Sequence, residues 1–265
     1  MSGIKGQIGV VTGASSGIGE SIAEQLCREG AHVCIVDVNA EQGEHVTAEL
    51  NGQGYRASFY KVDVTQSQQV ASCFQEVERL HGQIHILINN AGIAGQPTPI
   101  TEMDDQSWLT MLNIHANGSF YCLREAAKRM KKQHYGRIVN ISSLAAERGL
   151  AGSVHYSAAK YAIVGLTEVA AKELGPYNIT VNAIKPGLIR TPLAEKGLLA
   201  TEEERLKAET PVRKIGEPED VARAVSFLVQ PESGFLTGIS IIVDGGINLM
   251  DVMDKVGLEM MVNSH

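Results

Sequence analysis

Tyr156 and Lys160 stand four residues apart, so on a helix both side chains project from one face. A free tyrosine, with a pKa of about 10, relays protons poorly at neutral pH. An adjacent ammonium favours the phenolate and draws the tyrosine toward working pH, so this spacing suits general acid–base chemistry. A second group of residues suits phosphate binding. The segment Thr12-Gly13-Ala14-Ser15-Ser16-Gly17-Ile18-Gly19 follows a β-branched run and leads directly into an amphipathic helical pattern. Its G-x-x-x-G-x-G spacing lets backbone approach a pyrophosphate, while the helix N-terminus offers unpaired N–H groups and the positive end of its dipole. Asp37 closes the next β-branched run, close to the offset of roughly 20 residues at which a carboxylate accepts hydrogen bonds from an adenosine ribose. A 2′-phosphate there would meet like charge, and no Lys or Arg occupies Ser16, Val38 or Asn39 to relieve it. The pattern predicts NAD, rather than NADP, as cofactor.

These groups need a scaffold that presents them together. Short β-branched runs at Ile8 to Thr12, His32 to Asp37, Ala57 to Asp63, Ile84 to Asn89, Arg137 to Ser142, Thr180 to Lys185 and Ser240 to Asp244 alternate with helical patterns. The longer helical stretches are Gly17 to Glu29, Ala40 to Asn51, Ser67 to Leu80, Asp105 to Lys132 and Ser153 to Leu174. Gly30 and Gly82 stand where glycine ends a helix, and Pro218 where proline opens one. Such alternation predicts an α/β fold, a Rossmann-type doubly wound parallel sheet of seven strands between two helical layers. No linker or repeat interrupts it, so residues 1–249 form a single domain. Within it, the charged stretch 191–216 is expected to act as a lid over the carboxyl ends of the strands. Residues 250–265 carry Met250, Val252, Met253, Val256, Leu258, Met260, Met261 and Val262, an apolar load expected to dock against a neighbouring subunit.

The net charge of −7 and the absence of a basic run interleaved with aromatics argue against nucleic acid. No apolar run reaches the roughly 18 residues of a membrane helix, and the polar segment Met1 to Gln7 is too short for a signal peptide, so a cytoplasmic location without membrane attachment is expected. Cys27, Cys34, Cys73 and Cys122 lie far apart, with no C-x-x-C pair and no histidine at zinc-site spacing. They are expected to be buried reduced thiols, with no metal site.

Three motifs carry a resemblance: Asn89-Asn90-Ala91-Gly92, Tyr156-Ser157-Ala158-Ala159-Lys160 and Pro186-Gly187. Over about residues 4–249 the chain resembles the roughly 250-residue branch of the short-chain dehydrogenase/reductase family. The resemblance implies that Gly13, Ser15, Ser16, Gly17, Ile18 and Gly19 hold the pyrophosphate and that Asp37 takes the ribose. It further implies that Asp63 and Val64 flank the adenine and that Asn90, Ala91 and Gly92 lie beside the nicotinamide ribose. Tyr156, Lys160, Pro186, Gly187, Ile189 and Thr191 complete the implied cofactor site. The implied catalytic residues are Ser143, Tyr156 and Lys160, with Asn113 as the fourth, kinking its helix and holding a relay water through its backbone. Ser142 is one residue out of register for the serine role, and His155 reads as a pocket-wall or surface residue. The implied reaction moves a hydride between NAD and a secondary alcohol or ketone, with a 3-oxoacyl thioester as leading substrate and polyols, steroids or other hydroxy compounds as alternatives. A non-catalytic NAD-binding protein would more naturally have lost Ser143, Tyr156 or Lys160. The resemblance also implies a homotetramer acting on a small-molecule substrate, with pocket walls from Ala94 to Pro97, Leu144 to Leu150, and Leu188.

Overall fold

The computed structural model describes residues 3–195, 199–251 and 254. Seven strands, β1 (Ile8–Thr12), β2 (His32–Asp37), β3 (Arg56–Lys61), β4 (Ile86–Asn89), β5 (Gly136–Ile141), β6 (Ile179–Pro186) and β7 (Ser240–Val243), form one sheet in the order β3-β2-β1-β4-β5-β6-β7. Every pairing is parallel. The chain winds outward from β1 in one direction and from β4 in the other, which opens a crevice beyond their carboxyl ends.

Because helices cover both faces, the central strands are apolar without alternation: all of β1, β4, β5 and β6 is buried. One face packs on α1 (Gly17–Arg28), α2 (Ala40–Gly52) and α9 (Pro218–Val229) through Ile22, Leu26, Val46, Val225 and Leu228. The other packs on α3 (Ser67–His81), α5 (Gly118–Gln133) and α6 (Val154–Leu174) through Phe74, Val77, Leu123, Met130 and Leu174. All four cysteines are free thiols buried in these layers. Among the described residues, no helix is long and apolar enough to cross a membrane.

β1 and β2 match the strands expected from sequence to the residue, and the other strands shift by one or two residues at their ends. One larger difference concerns the expected helix over Asp105 to Lys132. It is α4 (Asp105–Leu112), then a π-helical turn over Asn113–Asn117, then α5, with the Gly118 N–H reaching back five residues to the Asn113 carbonyl. Such an extra residue widens and redirects a helix.

The stretch 191–216 holds α7 (Pro192–Glu195) and α8 (Leu199–Glu209) and is pinned at its base. Arg190 contacts Glu203 at 2.7 Å and Glu217 at 3.3 Å, while Leu199, Leu206 and Ile215 bury a small apolar cluster of their own. The apolar tail expected over 250–265 lies outside the described residues apart from Met250, Asp251 and Asp254.

Candidate active site

The glycine turn is shaped by its packing against the segment after β4. Gly13 has φ +63°, and a Cβ there would lie 2.7 Å from the Ala91 Cα; one on Gly19 would lie 2.1 Å from the Gly13 carbonyl oxygen. Only glycine fits either position. The Asn90 amide locks this contact, donating to the carbonyls of Thr12 at 3.0 Å and Gly13 at 2.9 Å. The Thr12 hydroxyl in turn accepts the N–H groups of Asn90 and Ala91. Ser16 occupies the N-cap of α1 but makes no side-chain cap, so the first-turn N–H groups are left for a ligand's oxygens.

Asp37 lies against this turn. Its Oδ2 accepts the Ser15 N–H at 3.1 Å and the Ser15 hydroxyl at 2.7 Å, and its Oδ1 accepts the Asn39 N–H at 3.0 Å. Asp63 Oδ1 likewise accepts from the N–H and hydroxyl of Thr65, and Val64 is buried against Gly118. Gly187, just after β6, is pressed against Asp244, where a Cβ would come within 2.6 Å. Ile189 bridges to Gly216, and the Thr191 methyl closes on Gly17. The residues expected to hold a dinucleotide thus gather at the carboxyl ends of β1, β2, β3, β4 and β6. Glycine cradle, open helix start and the carboxylate at the end of β2 together fit the pyrophosphate and adenosine of a nicotinamide dinucleotide.

Ser143 follows β5 and caps the short turn Leu144–Ala146, accepting the Ala145 N–H at 3.1 Å. Its hydroxyl also acts on the Tyr156 phenol, favouring the ionised form. Ser142 turns the other way, donating to the Lys160 carbonyl at 2.9 Å. Lys160 is buried, donates from Nζ to the Ile141 carbonyl at 2.9 Å, and lies 5.5 Å from the Tyr156 ring centroid.

The electrostatics differ from the expectation that Lys160 draws the tyrosine down. Burial pushes the Tyr156 phenol above its ordinary value, with the Ser143 hydroxyl opposing. Burial also lowers Lys160 to about 7, so its charge is weakened where it would have to act. Desolvation, which penalises both charged forms, outweighs their attraction. Tyr156 is therefore a held phenol, ready to donate a proton, beside an amine that titrates near neutrality.

Asn113 does not bring its side chain to this cluster. The kink expected of it is present, since the π-turn starts there, but the residue is exposed and its Oδ1 accepts from Asn117 at 2.7 Å. The side chain that the π-turn delivers is His115, buried and edge-on to Tyr156 with centroids 5.5 Å apart. Its Nε2 lies 2.9 Å from the Ile93 carbonyl, and burial lowers it to about 3, so it is neutral. Sequence reasoning missed His115. Buried Met111, His115, Ser119 and Cys122 follow the i, i+4, i+8, i+11 rhythm of an inward helix face, the signal that would have found it. His155 is buried rather than at the surface, and it packs so closely on Gly95 that a Cβ there would meet its Nε2 at 2.1 Å. Beside the pocket, Lys185 and Glu147 pair at 2.6 Å.

A family model described as Enoyl-(Acyl carrier protein) reductase matches residues 13–248. A solved short-chain type dehydrogenase/reductase from Mycobacterium ulcerans superposes with a TM-score of 0.87 at 34% identity, covering 93% of this chain and 91% of that one. The chain belongs to the short-chain dehydrogenase/reductase family. It is 39% identical over 245 residues to the short-chain reductase protein NovJ of Streptomyces niveus, covering 90% of this chain and 93% of that protein. It is 34% identical over 244 residues to a 3-oxoacyl-acyl-carrier-protein reductase of Thermotoga maritima, covering 92% and 98%. As a short-chain dehydrogenase/reductase, it is an oxidoreductase that works with a nicotinamide cofactor on a carbinol or ketone carbon.

Proposed function

We propose that this enzyme interconverts a 3-oxoacyl thioester and its 3-hydroxy form with NAD. The convergence of Ser143, Tyr156 and Lys160 carries the catalytic part of this reading, because the Ser143 hydroxyl acts on the phenol and the Lys160 ammonium lies 5.5 Å from its ring centroid, where one substrate oxygen can meet both hydroxyls. NAD supplies or accepts the hydride at its nicotinamide ring. In reduction, the Tyr156 phenol gives its proton to the carbonyl oxygen as that oxygen gains charge, and Ser143 donates a second hydrogen bond. In oxidation, the same phenol oxygen takes the alcohol proton. Lys160, titrating near neutrality behind the ring, is suited to restoring the proton state of Tyr156.

The Asp37 carboxylate, held by Ser15 and Asn39, supports NAD, since a 2′-phosphate would be placed against it. NADP is the second reading, because Lys61 is the register partner of Asp37 on β3 and is the cation a 2′-phosphate would need. The thioester follows from relatives such as the Thermotoga maritima protein. Two separate exposed apolar faces support a homotetramer. Leu109, Phe120, Tyr161 and Val169 lie on α4, α5 and α6, while Phe227, Phe235, Ile239 and Ile242 lie around α9 and β7.

Nicotinamide absorbance followed with 3-oxoacyl thioesters, polyols, steroids and simple secondary alcohols tests the substrate. The thioester should give the highest kcat/KM with NADH, and a polyol or steroid exceeding it would overturn that assignment. Light scattering should give four times the chain mass.

A further inference from the structure

Away from the catalytic cluster, at the start of β2, three ligand-type side chains converge. His32 and Cys34, two apart on β2, share a face, and Ser58 and Tyr60 lie on the same face of β3 through the register Cys34↔Ser58 and Val36↔Tyr60. His81 closes α3 and reaches the same spot. One donor atom from each of His32, Cys34 and His81 falls within 4.8 Å of the others, and the two imidazole centroids are 4.2 Å apart. We infer that His32, Cys34 and His81 form a binding site for a thiophilic, imidazole-binding cation of the zinc class, clipping β2 to the end of α3.

The donor set is that of a three-protein-ligand zinc site, one thiolate and two imidazoles, whose fourth position an oxygen ligand such as water would take. Tetrahedral zinc, with ligands at about 2.0 to 2.3 Å, needs donors roughly 3.5 Å apart, so closing the cluster takes about an ångström of side-chain movement. His32 and His81 are half-buried, which leaves a path for an ion, while the Cys34 sulfur supplies the inner wall. The rings are held by neighbours: the Ser58 hydroxyl meets His32 Nε2 at 2.9 Å and the Tyr60 hydroxyl meets His81 Nε2 at 2.8 Å. The Cys34 thiol is pushed up by burial and is protonated. Binding forms the metal–sulfur bond, breaks the S–H bond and releases that proton to solvent, with no change of oxidation state. The expectation of no metal site rested on spacing along the chain. Here a strand and a helix end are brought together only by the fold.

The full, untagged chain, stripped with a chelator and dialysed, is titrated with cobalt(II) as a spectroscopic stand-in for zinc. A thiolate-to-cobalt charge-transfer band should rise to saturation at one equivalent, disappear on adding zinc, and accompany a higher melting temperature with zinc. Cys34→Ala should abolish the band, and His32→Asn or His81→Asn should weaken cobalt binding by about tenfold or more. Should Cys34→Ala fail to fold, the half-exposed His81→Asn decides. No band in the parent chain, a band that survives in Cys34→Ala, or unchanged affinity in both histidine variants would overturn the inference and leave any binding to the other thiols.

Discussion

Replacing Lys160 by methionine should strengthen the fold while removing turnover. The ammonium is only 4% exposed and has the Ile141 carbonyl as hydrogen-bond partner. Burial lowers it from 10.5 to about 7, which at about 1.4 kcal/mol per pKa unit amounts to about 5 kcal/mol of penalty on the charged form. The unfolded lysine keeps its proton up to about 10.5, whereas the native one loses it near 7. Stability of the parent therefore rises with pH across that window, and the full penalty applies below about 7. Methionine fills a similar volume without the penalty, but it forfeits the Nζ–H···O bond, worth about 1 kcal/mol, and leaves the Ile141 carbonyl with one partner fewer. The net gain should be about 3 kcal/mol at pH 6.5. Urea unfolding of parent and variant without cofactor, at several pH values from 6 to 10, measures it through the midpoint at constant slope. The gap should shrink as pH rises, and turnover should fall by about a hundredfold or more at every pH. A variant less stable than the parent at pH 6.5, or a gap independent of pH, would refute the placement of a desolvated amine at this site.

Tyr156→Phe should remove nearly all turnover while cofactor affinity, followed by nicotinamide fluorescence, stays within about threefold, since the hydroxyl moves the proton and contributes little to the cofactor contact. Ser143→Ala removes the hydroxyl that opposes the upward shift of Tyr156, so the alkaline rise of the oxidation rate should move to higher pH as well as lose height; a downward move in the pH–rate profile would contradict that influence of Ser143 on Tyr156. The parent should prefer NAD over NADP by at least about tenfold in kcat/KM, about 1.4 kcal/mol, and Asp37→Ala should narrow that ratio. A chain ending at Leu249 should lose tetramer stability in light scattering or change its substrate KM; equality with the full chain in both would make residues 250–265 dispensable.

What could be read in advance was what local physics determines. The runs Ile8–Thr12 and His32–Asp37 are apolar and β-branched because both sheet faces are covered, and the turn between β1 and α1 declares itself by glycines that the Ala91 and Asn90 contacts require. Ser143 is preferred to Ser142 through the resemblance rather than through local physics, and the two hydroxyls point apart. The misses are non-local. A π-turn has no distinct residue pattern, so only the resemblance points to a kink at Asn113, and the type and length of that kink are not legible. The direction of the Tyr156 shift depends on how much water the finished fold excludes, which the i, i+4 spacing does not report. That His155 is buried rather than at the surface depends on its approach to Gly95 on a separate loop, which its place beside Tyr156 in the chain does not report.

The π-turn also makes helix length a control on the chemistry. Deleting one residue within Asn113–Asn117 would restore a regular ladder and leave the faces of α4 and α5 nearly in phase, because a π-turn takes one residue more than an α-turn for the same rotation, but it would displace the side chains within the turn itself. His115 could not then keep its partners, Tyr156 and Ile93, although the buried face of α5 would keep the sheet. A regular helix of the same composition would be easier to form and would carry the wrong side chain to the phenol. Single-residue indels here should therefore be far more damaging to turnover than substitutions at the exposed Asn113 and Asn117, because the length of the segment, more than the identity of its exposed residues, brings His115 to the phenol.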